Sequence, residues 1–176
     1  MATIILRLGH RFVRDDRVTM HIFLAARAFG AEKAVYSGQQ DPTMEAQIKE
    51  IVRKWGGDFT VEYTSDELKR LKTWKQLGRE LIHLTMYGLP VQEVIEKIRR
   101  STRDRVIIIG GAKVKRTIYN VADWNVAITS QPHSEISALS VFLHVLFQGT
   151  ELEKIHENAQ FYIIPQAHGK KIIQTE

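Results

Sequence analysis

Val106-Ile107-Ile108-Ile109 runs directly into Gly110-Gly111-Ala112-Lys113-Val114, and Asn125-Val126-Ala127-Ile128 runs into Thr129-Ser130-Gln131-Pro132-His133-Ser134-Glu135. Each is a short apolar strand that ends in a small, polar, backbone-exposing loop. In an open α/β sheet, ligands bind in the crevice at the carboxyl ends of the strands. Read as neighbours, these two strands predict one shared pocket. The segment Gly9-His10-Arg11-Phe12-Val13-Arg14-Asp15-Asp16-Arg17 is basic and polar, and is suited to meeting a phosphate there.

Outward from these loops, apolar runs alternate with segments of helical period. Strands are expected at 3–6, 33–36, 59–63, 80–84, 106–109 and 126–128. Helices are expected at 18–29, 43–55, 90–100, 115–120 and 133–147. Val18, Ile22, Ala25, Ala26 and Phe29 share one face of the first helix, and Gly30 is placed to stop it. Pro90 suits a first helical turn. The lysine-rich segment 64–78 reads as a mobile loop with one short helical turn. Segments 160–164 and 171–174 flank Pro165 and Gly169 and predict a terminal hairpin. The series is βαβ, hence a mostly parallel sheet flanked by helices on both faces. Residues 1–176 read as a single domain, with 156–176 as a C-terminal tail.

The composition narrows the function. With 176 residues, 44% hydrophobic and 26% charged, the chain suits one globular domain with a sizeable core. A net charge of +5 favours an anionic partner, nucleic acid being the usual one. There is no cysteine, which excludes disulfides, a thiol nucleophile and Cys-based zinc. No apolar run approaches the roughly 20 residues of a membrane span. The N-terminus lacks the pattern of a signal peptide, so a cytoplasmic location is expected.

Gly110-Gly111 lets a backbone approach a ligand closely and suits a nucleoside or an amino-acid moiety. It is neither G-x-G-x-x-G nor a P-loop. At 131–135, Pro132 stiffens the loop, and Ser134 or His133 can start a helix whose free amides face an anion. His10, Arg11, Arg14 and Arg17 cluster ahead of the first helix, and Arg makes bidentate contacts to phosphate. Arg27 stands near the end of that helix. Lys69, Arg70, Lys72, Lys75 and Arg79 form a further basic cluster in which Trp74 can stack on a base. Lys97, Arg99, Arg100, Arg103 and Arg105 form another. His83, His144, His156 and His168 show no metal-ligand spacing, and no metal is expected.

Together these loops resemble the SPOUT superfamily of RNA methyltransferases, in its ribose 2′-O-methylating branch. His21 stands where the branch's first motif has Asn, Arg27 matches its catalytic Arg, and Gly30 matches its Gly. Gly110-Gly111-Ala112-Lys113-Val114 fills the second motif with Lys in place of Glu. Ser134-Glu135-Ile136-Ser137 fills the third without its Asn. Leu6-Arg7-Leu8-Gly9-His10-Arg11, His83-Leu84-Thr85-Met86-Tyr87-Gly88 and Gln131-Pro132-His133-Ser134-Glu135 are similar to the archaeal subfamily that methylates cytidine 56 of tRNA.

That resemblance implies an archaeal source, an α/β fold with a C-terminal trefoil knot, a homodimer, and S-adenosylmethionine as methyl donor. It implies the ribose of a T-loop cytidine as target, hence RNA and not DNA. It places the donor on Leu84, Gly110, Gly111, Ala112, Lys113 and Val114, and on Ile128, Thr129, Ser130, Gln131, Pro132, His133, Ser134 and Glu135. It makes Arg27, with His21, the catalytic pair. The general base stays open among His21, His133 and Glu135, because arginine is a poor base. Arg7, Arg11, Arg14 and Arg17 are the expected tRNA phosphate contacts. Two rival readings are a non-catalytic RNA-binding protein and a nucleotide-dependent enzyme using Gly110-Gly111.

Overall fold

A computed structural model describes residues 1–111 and 113–175, apart from the side chain of Asp16. In chain order the elements are β1 (Thr3–His10), α1 (Phe12–Ala28), β2 (Lys33–Gly38), α2 (Pro42–Trp55), β3 (Thr60–Tyr63) and α3 (Glu67–Gln76). β4 (Glu80–Pro90), α4 (Val91–Arg100), β5 (Arg105–Ile109), α5 (Arg116–Val121), β6 (Trp124–Ala127) and α6 (Glu135–Phe147) follow. A 3-10 turn (Thr150–Glu153) then leads to β7 (Phe161–Ile164) and β8 (Lys171–Gln174).

β1 to β6 form one parallel sheet in the order β3-β2-β1-β5-β4-β6. β5 is buried at every position, as a strand covered on both faces must be. Helices do cover both faces. On one face, Ile5, Ile82 and Ile107 pack with Phe23 of α1, Ile48 of α2, Ile95 of α4 and Phe142 of α6. On the other, Leu6, Leu81 and Ile108 pack with Leu71 and Trp74 of α3 and Ile118 of α5. Local chemistry sets the boundaries. Asp41 caps α2 by accepting from Met44 N at 2.9 Å, and Asp66 caps α3 through Lys69 N at 2.9 Å. In α4, Val91, Val94, Ile95 and Ile98 recur at helical spacing and are all buried.

Four expectations change. β5 and β6 are not neighbours, because β4 lies between them. Segment 64–78 is not a loop: its centre is α3, anchored by Leu71 and Trp74 one turn apart, with lysines outward. Trp74 is 4% exposed beneath the Arg70 and Arg79 guanidiniums, so it offers no face to a base. α1 starts at Phe12, so Arg14 and Arg17 are helical residues and not part of a loop.

β7 and β8 pair antiparallel in the expected hairpin. It leans on the end of α2: Phe161 packs against Trp55, and Gln160 N donates to Lys54 O at 2.9 Å.

Candidate functional site

At the carboxyl end of the sheet the tips of β4, β5 and β6 open onto a cavity of about 380 Å³. That size suits a small organic ligand. Two close approaches shape it. A Cβ on Gly88 would meet Asn125 C, Asn125 O and Val126 N at 2.5 Å, so the far half of β4 can lie against β6 only with glycine there. Both Leu84 and Leu89 align with Val126, so residues 85–88 bulge out between them. Gly110 is similarly crowded: a Cβ there would fall 2.1 Å from Val114 Cγ2.

Of the expected donor-site residues, Leu84, Gly110, Gly111, Val114 and Ile128 line the cavity, as do the five from Gln131 to Glu135. Lys113, Thr129 and Ser130 are not among the lining residues. Ala112 lies outside the described residues. Ser134 starts α6, accepting from Ile136 N at 3.1 Å. The nearby amides of the helix start supply partial positive charge to the cavity.

The sequence reading missed a polar corner formed by His83, Thr85 and Tyr119, which also lines the cavity. Asn125 Nδ2 donates to Tyr119 O at 3.0 Å, which leaves Asn125 Oδ1 to accept from His83 Nδ1 at 2.9 Å. Neutral His83 therefore carries its proton on Nδ1, and Nε2 is an acceptor. Burial pushes its imidazole below the usual histidine range, and the Asn125 bond opposes this. Tyr119 stands edge-on to the His83 ring and its hydroxyl lies 3.3 Å from Thr85 Oγ1. The signal available was the apolar strand 80–84 interrupted by a histidine.

The expected catalytic pair lies elsewhere. His21 is exposed midway along α1. Arg27 is buried at the C-terminal end of α1, donating from Nη2 to Trp55 O at 2.8 Å and Gly56 O at 2.6 Å. Twelve residues of helix separate it from Asp15, about 18 Å at the α-helical rise. Within one chain neither residue lines the cavity.

The four expected phosphate contacts divide. Arg11, Arg14 and Arg17 are exposed, and Arg11 Nε donates to Asp15 Oδ2 at 2.9 Å. That bond holds the Asp15 carboxyl below its usual range. Arg7 is 2% exposed, so it is not a surface contact. It projects from β1 beside the cavity wall: a Cβ on Gly111 would stand 3.8 Å from Arg7 Nη1 and Nη2 and 4.0 Å from Glu135 Oε1. Burial lowers its pKa, while the charges of Glu135 and Asp15 act the other way.

The site is thus a cavity walled by glycines across three strand tips of a parallel sheet, in a chain that exposes Arg11, Arg14 and Arg17 near the start of its first helix. Solved structures share the architecture. The Aquifex TrmH/SpoU tRNA modifying enzyme superposes with a TM-score of 0.64 at 16% identity, covering 86% of this chain and 76% of that one. The Streptomyces viridochromogenes SpoU methyltransferase AviRb, in complex with AdoMet, gives 0.58 at 12% identity over 84% of this chain and 57% of that one. The fold is thus that of SpoU/TrmH-type SPOUT methyltransferases.

Sequence relatives are more specific. The family model described as tRNA ribose 2′-O-methyltransferase, aTrm56, matches residues 55–173. A Methanothermobacter thermautotrophicus protein is 46% identical over 98% of this chain and 96% of its own length. A Thermococcus kodakarensis protein is 43% identical over 98% and 97%. Both are named tRNA (cytidine(56)-2′-O)-methyltransferase. This chain belongs to the tRNA ribose 2′-O-methyltransferase family.

Proposed function

We propose that this protein transfers the methyl group of S-adenosylmethionine to the 2′-hydroxyl of cytidine 56 in the T-loop of tRNA. The observation that carries the reading is one cavity, lined by two of the three segments whose sequences resemble the cytidine-56 subfamily (His83–Tyr87 and Gln131–Glu135) together with Gly110 and Gly111, in a chain 46% identical to a relative of that name. Family membership supports tRNA as the substrate.

The cavity fits the donor. Apolar Leu84, Val114 and Ile128 offer walls for a flat ring, while His83 Nε2 and the Tyr119 hydroxyl offer an acceptor and a donor for its edge. The backbone of Gly110 and Gly111 is free of side chains. When bound there, S-adenosylmethionine supplies an already activated methyl group, so the chain has mainly to orient the ribose and remove one proton. Among the expected bases, His133 and Glu135 line this cavity. The ring of His133 bonds through Nδ1 to Ser134 O at 3.1 Å, so the neutral ring has Nε2 open to accept a proton. Arg27 and His21 would enter the chemistry only if a second copy presented them.

The remaining parts of the reading rest on the resemblance. The whole chain acts as a single domain, with 156–176 as a tail. The resemblance implies a trefoil knot in the C-terminal part of the fold. Homodimer formation would cover apolar side chains such as Phe12, Val13 and Val141, which are exposed. A 2′-hydroxyl target requires RNA and not DNA, and tRNA as substrate fits the cytoplasm. Among the described residues no helix is long and apolar enough to cross a membrane.

The test is incubation with labelled S-adenosylmethionine and unmodified tRNA, followed by mapping of ribose methylation. Label at cytidine 56 is the expected result. Label at another ribose would overturn the position but keep the chemistry. tRNA binding with no transfer would replace the enzyme by an RNA-binding protein.

A further inference from the structure

We propose that Arg7 is a built receptor for the phosphodiester adjoining the target ribose. Its guanidinium is placed at the junction between the donor cavity and the basic start of α1. The inference rests on the ribose-methylation reading and assigns a substrate contact within that site.

The first observation is an unpartnered buried cation. Arg7 is 2% exposed, and its Nε and Nη1 have no hydrogen-bond partner among the described residues. Buried polar groups in native proteins are nearly always paired, and an orphan calls for an explanation such as a ligand. The other buried arginines also leave Nε without a partner, but each uses Nη2 on backbone carbonyls: Arg27 donates to Trp55 O and Gly56 O, and Arg105 donates to Ile98 O and Ser101 O at 3.0 and 3.1 Å, whereas no hydrogen bond from the Arg7 side chain is seen among the described residues. Those two cap helix ends, and Arg7 does no such work.

The second observation is position. Arg7 aligns with Ile109, the last residue of β5, so its side chain arises at the strand ends where ligands bind. Gly111 carries no side chain between the guanidinium and the cavity loop, and a Cβ there would lie 3.8 Å from both terminal nitrogens. The amino-terminal amides of the thirteen-residue α6 begin beside Glu135, on the same wall.

The charges choose the anion. Glu135 lines the cavity and Arg7 does not, so a carboxylate inside the cavity would meet Glu135 first. On the α1 side the charges that reach Arg7 are those of Asp15 and of exposed Arg11, which are paired with each other, so the Asp15 carboxylate is already partly neutralised there. A phosphodiester entering that way would stand beside Gly111, with its ribose facing the donor. Arginine matches phosphate with paired donors where lysine offers a point charge.

The experiment compares wild type with Arg7→Met and Arg7→Lys in four readouts. These are thermal midpoint, S-adenosylhomocysteine affinity by calorimetry, steady-state kinetics on tRNA, and the thermal shift produced by inorganic phosphate and by cytidylyl-3′,5′-adenosine. Replacing an unpaired buried cation by an apolar side chain should leave the midpoint equal or higher. S-adenosylhomocysteine affinity should stay within twofold. kcat/KM on tRNA should fall at least tenfold in Arg7→Met and less in Arg7→Lys, and the shift from phosphate and dinucleotide should vanish in Arg7→Met.

A tenfold loss of S-adenosylhomocysteine affinity with tRNA kinetics otherwise intact would assign Arg7 to the donor's carboxylate and overturn the proposal. So would a lowered midpoint with activity lost only in proportion to folded protein, or kinetics on tRNA within threefold of wild type. If wild type itself methylates no tRNA, the reaction reading fails, while the phosphate and dinucleotide shifts still decide whether Arg7 is an anion receptor.

Discussion

His83 shows how one side chain ties the cavity to pH. Its folded pKa is lowered by burial, so the neutral ring is the form that the fold stabilises. Above the unfolded value of about 6.5 both states are neutral and the contribution is fully present. As pH falls below that value the unfolded chain takes up a proton that the folded one resists, and stability is lost until the folded pKa is passed. Urea midpoints from pH 7.5 to 5 should therefore decline in wild type and decline less in His83→Gln. His156 is shifted in the same direction by its own burial and keeps part of the slope. Identical slopes in the two proteins would remove His83 from this account. Arg7 was partly legible at this scale, because alternation along a strand places it on the face of Ile5 and inside the core. The strand expected from the sequence stops at residue 6, whereas β1 runs to His10, so Arg7 was grouped with the exposed arginines as a phosphate contact although it is a buried strand residue.

At the scale of elements, Arg27 and Gly88 make opposite cases. Arg27 ties the end of α1 to the end of α2 through two carbonyls. Arg27→Ala should cost about 1–3 kcal/mol in urea unfolding, since buried acceptors lose their donor. S-adenosylhomocysteine affinity should be unchanged; a selective loss of catalysis at full stability would return Arg27 to the chemistry. Gly88→Ala should cost about 1–3 kcal/mol by overpacking and weaken S-adenosylhomocysteine binding as well, because β4 and β6 must part. Equal affinity in that variant would mean that the cavity does not depend on this contact.

The strands and most helices were readable because apolar runs and helical period are local signals. α3 was not, because two buried residues among four cations leave little apolar pattern. The position of β4 between β5 and β6 was also hidden. Strand order depends on contacts far apart in sequence, which periodicity does not encode.

For the whole molecule, the +5 net charge and the exposed arginines of α1 set how tRNA affinity responds to salt. Replacing Arg11, Arg14 or Arg17 by Gln should each reduce the slope of log affinity against log salt by about 0.7–0.9 if that side chain contacts a phosphate. Filter binding across a salt series reads this, and an unchanged slope removes that residue from the interface.

The sheet order has a further consequence during synthesis. β1 is made before the other five strands of the sheet, yet it sits inside it, and Thr3 must wait for Arg105 to gain its neighbour in β5. At about 5–20 residues per second, translation of the intervening hundred or so residues takes roughly 5–20 s. Throughout that interval the edge of β1 that will take β5 is open, and an open apolar edge is a template for pairing with another chain. Crowding among nascent chains on one message, and the pace of the ribosome, therefore act on the yield of this protein through a strand whose two edges are both paired once folding is complete.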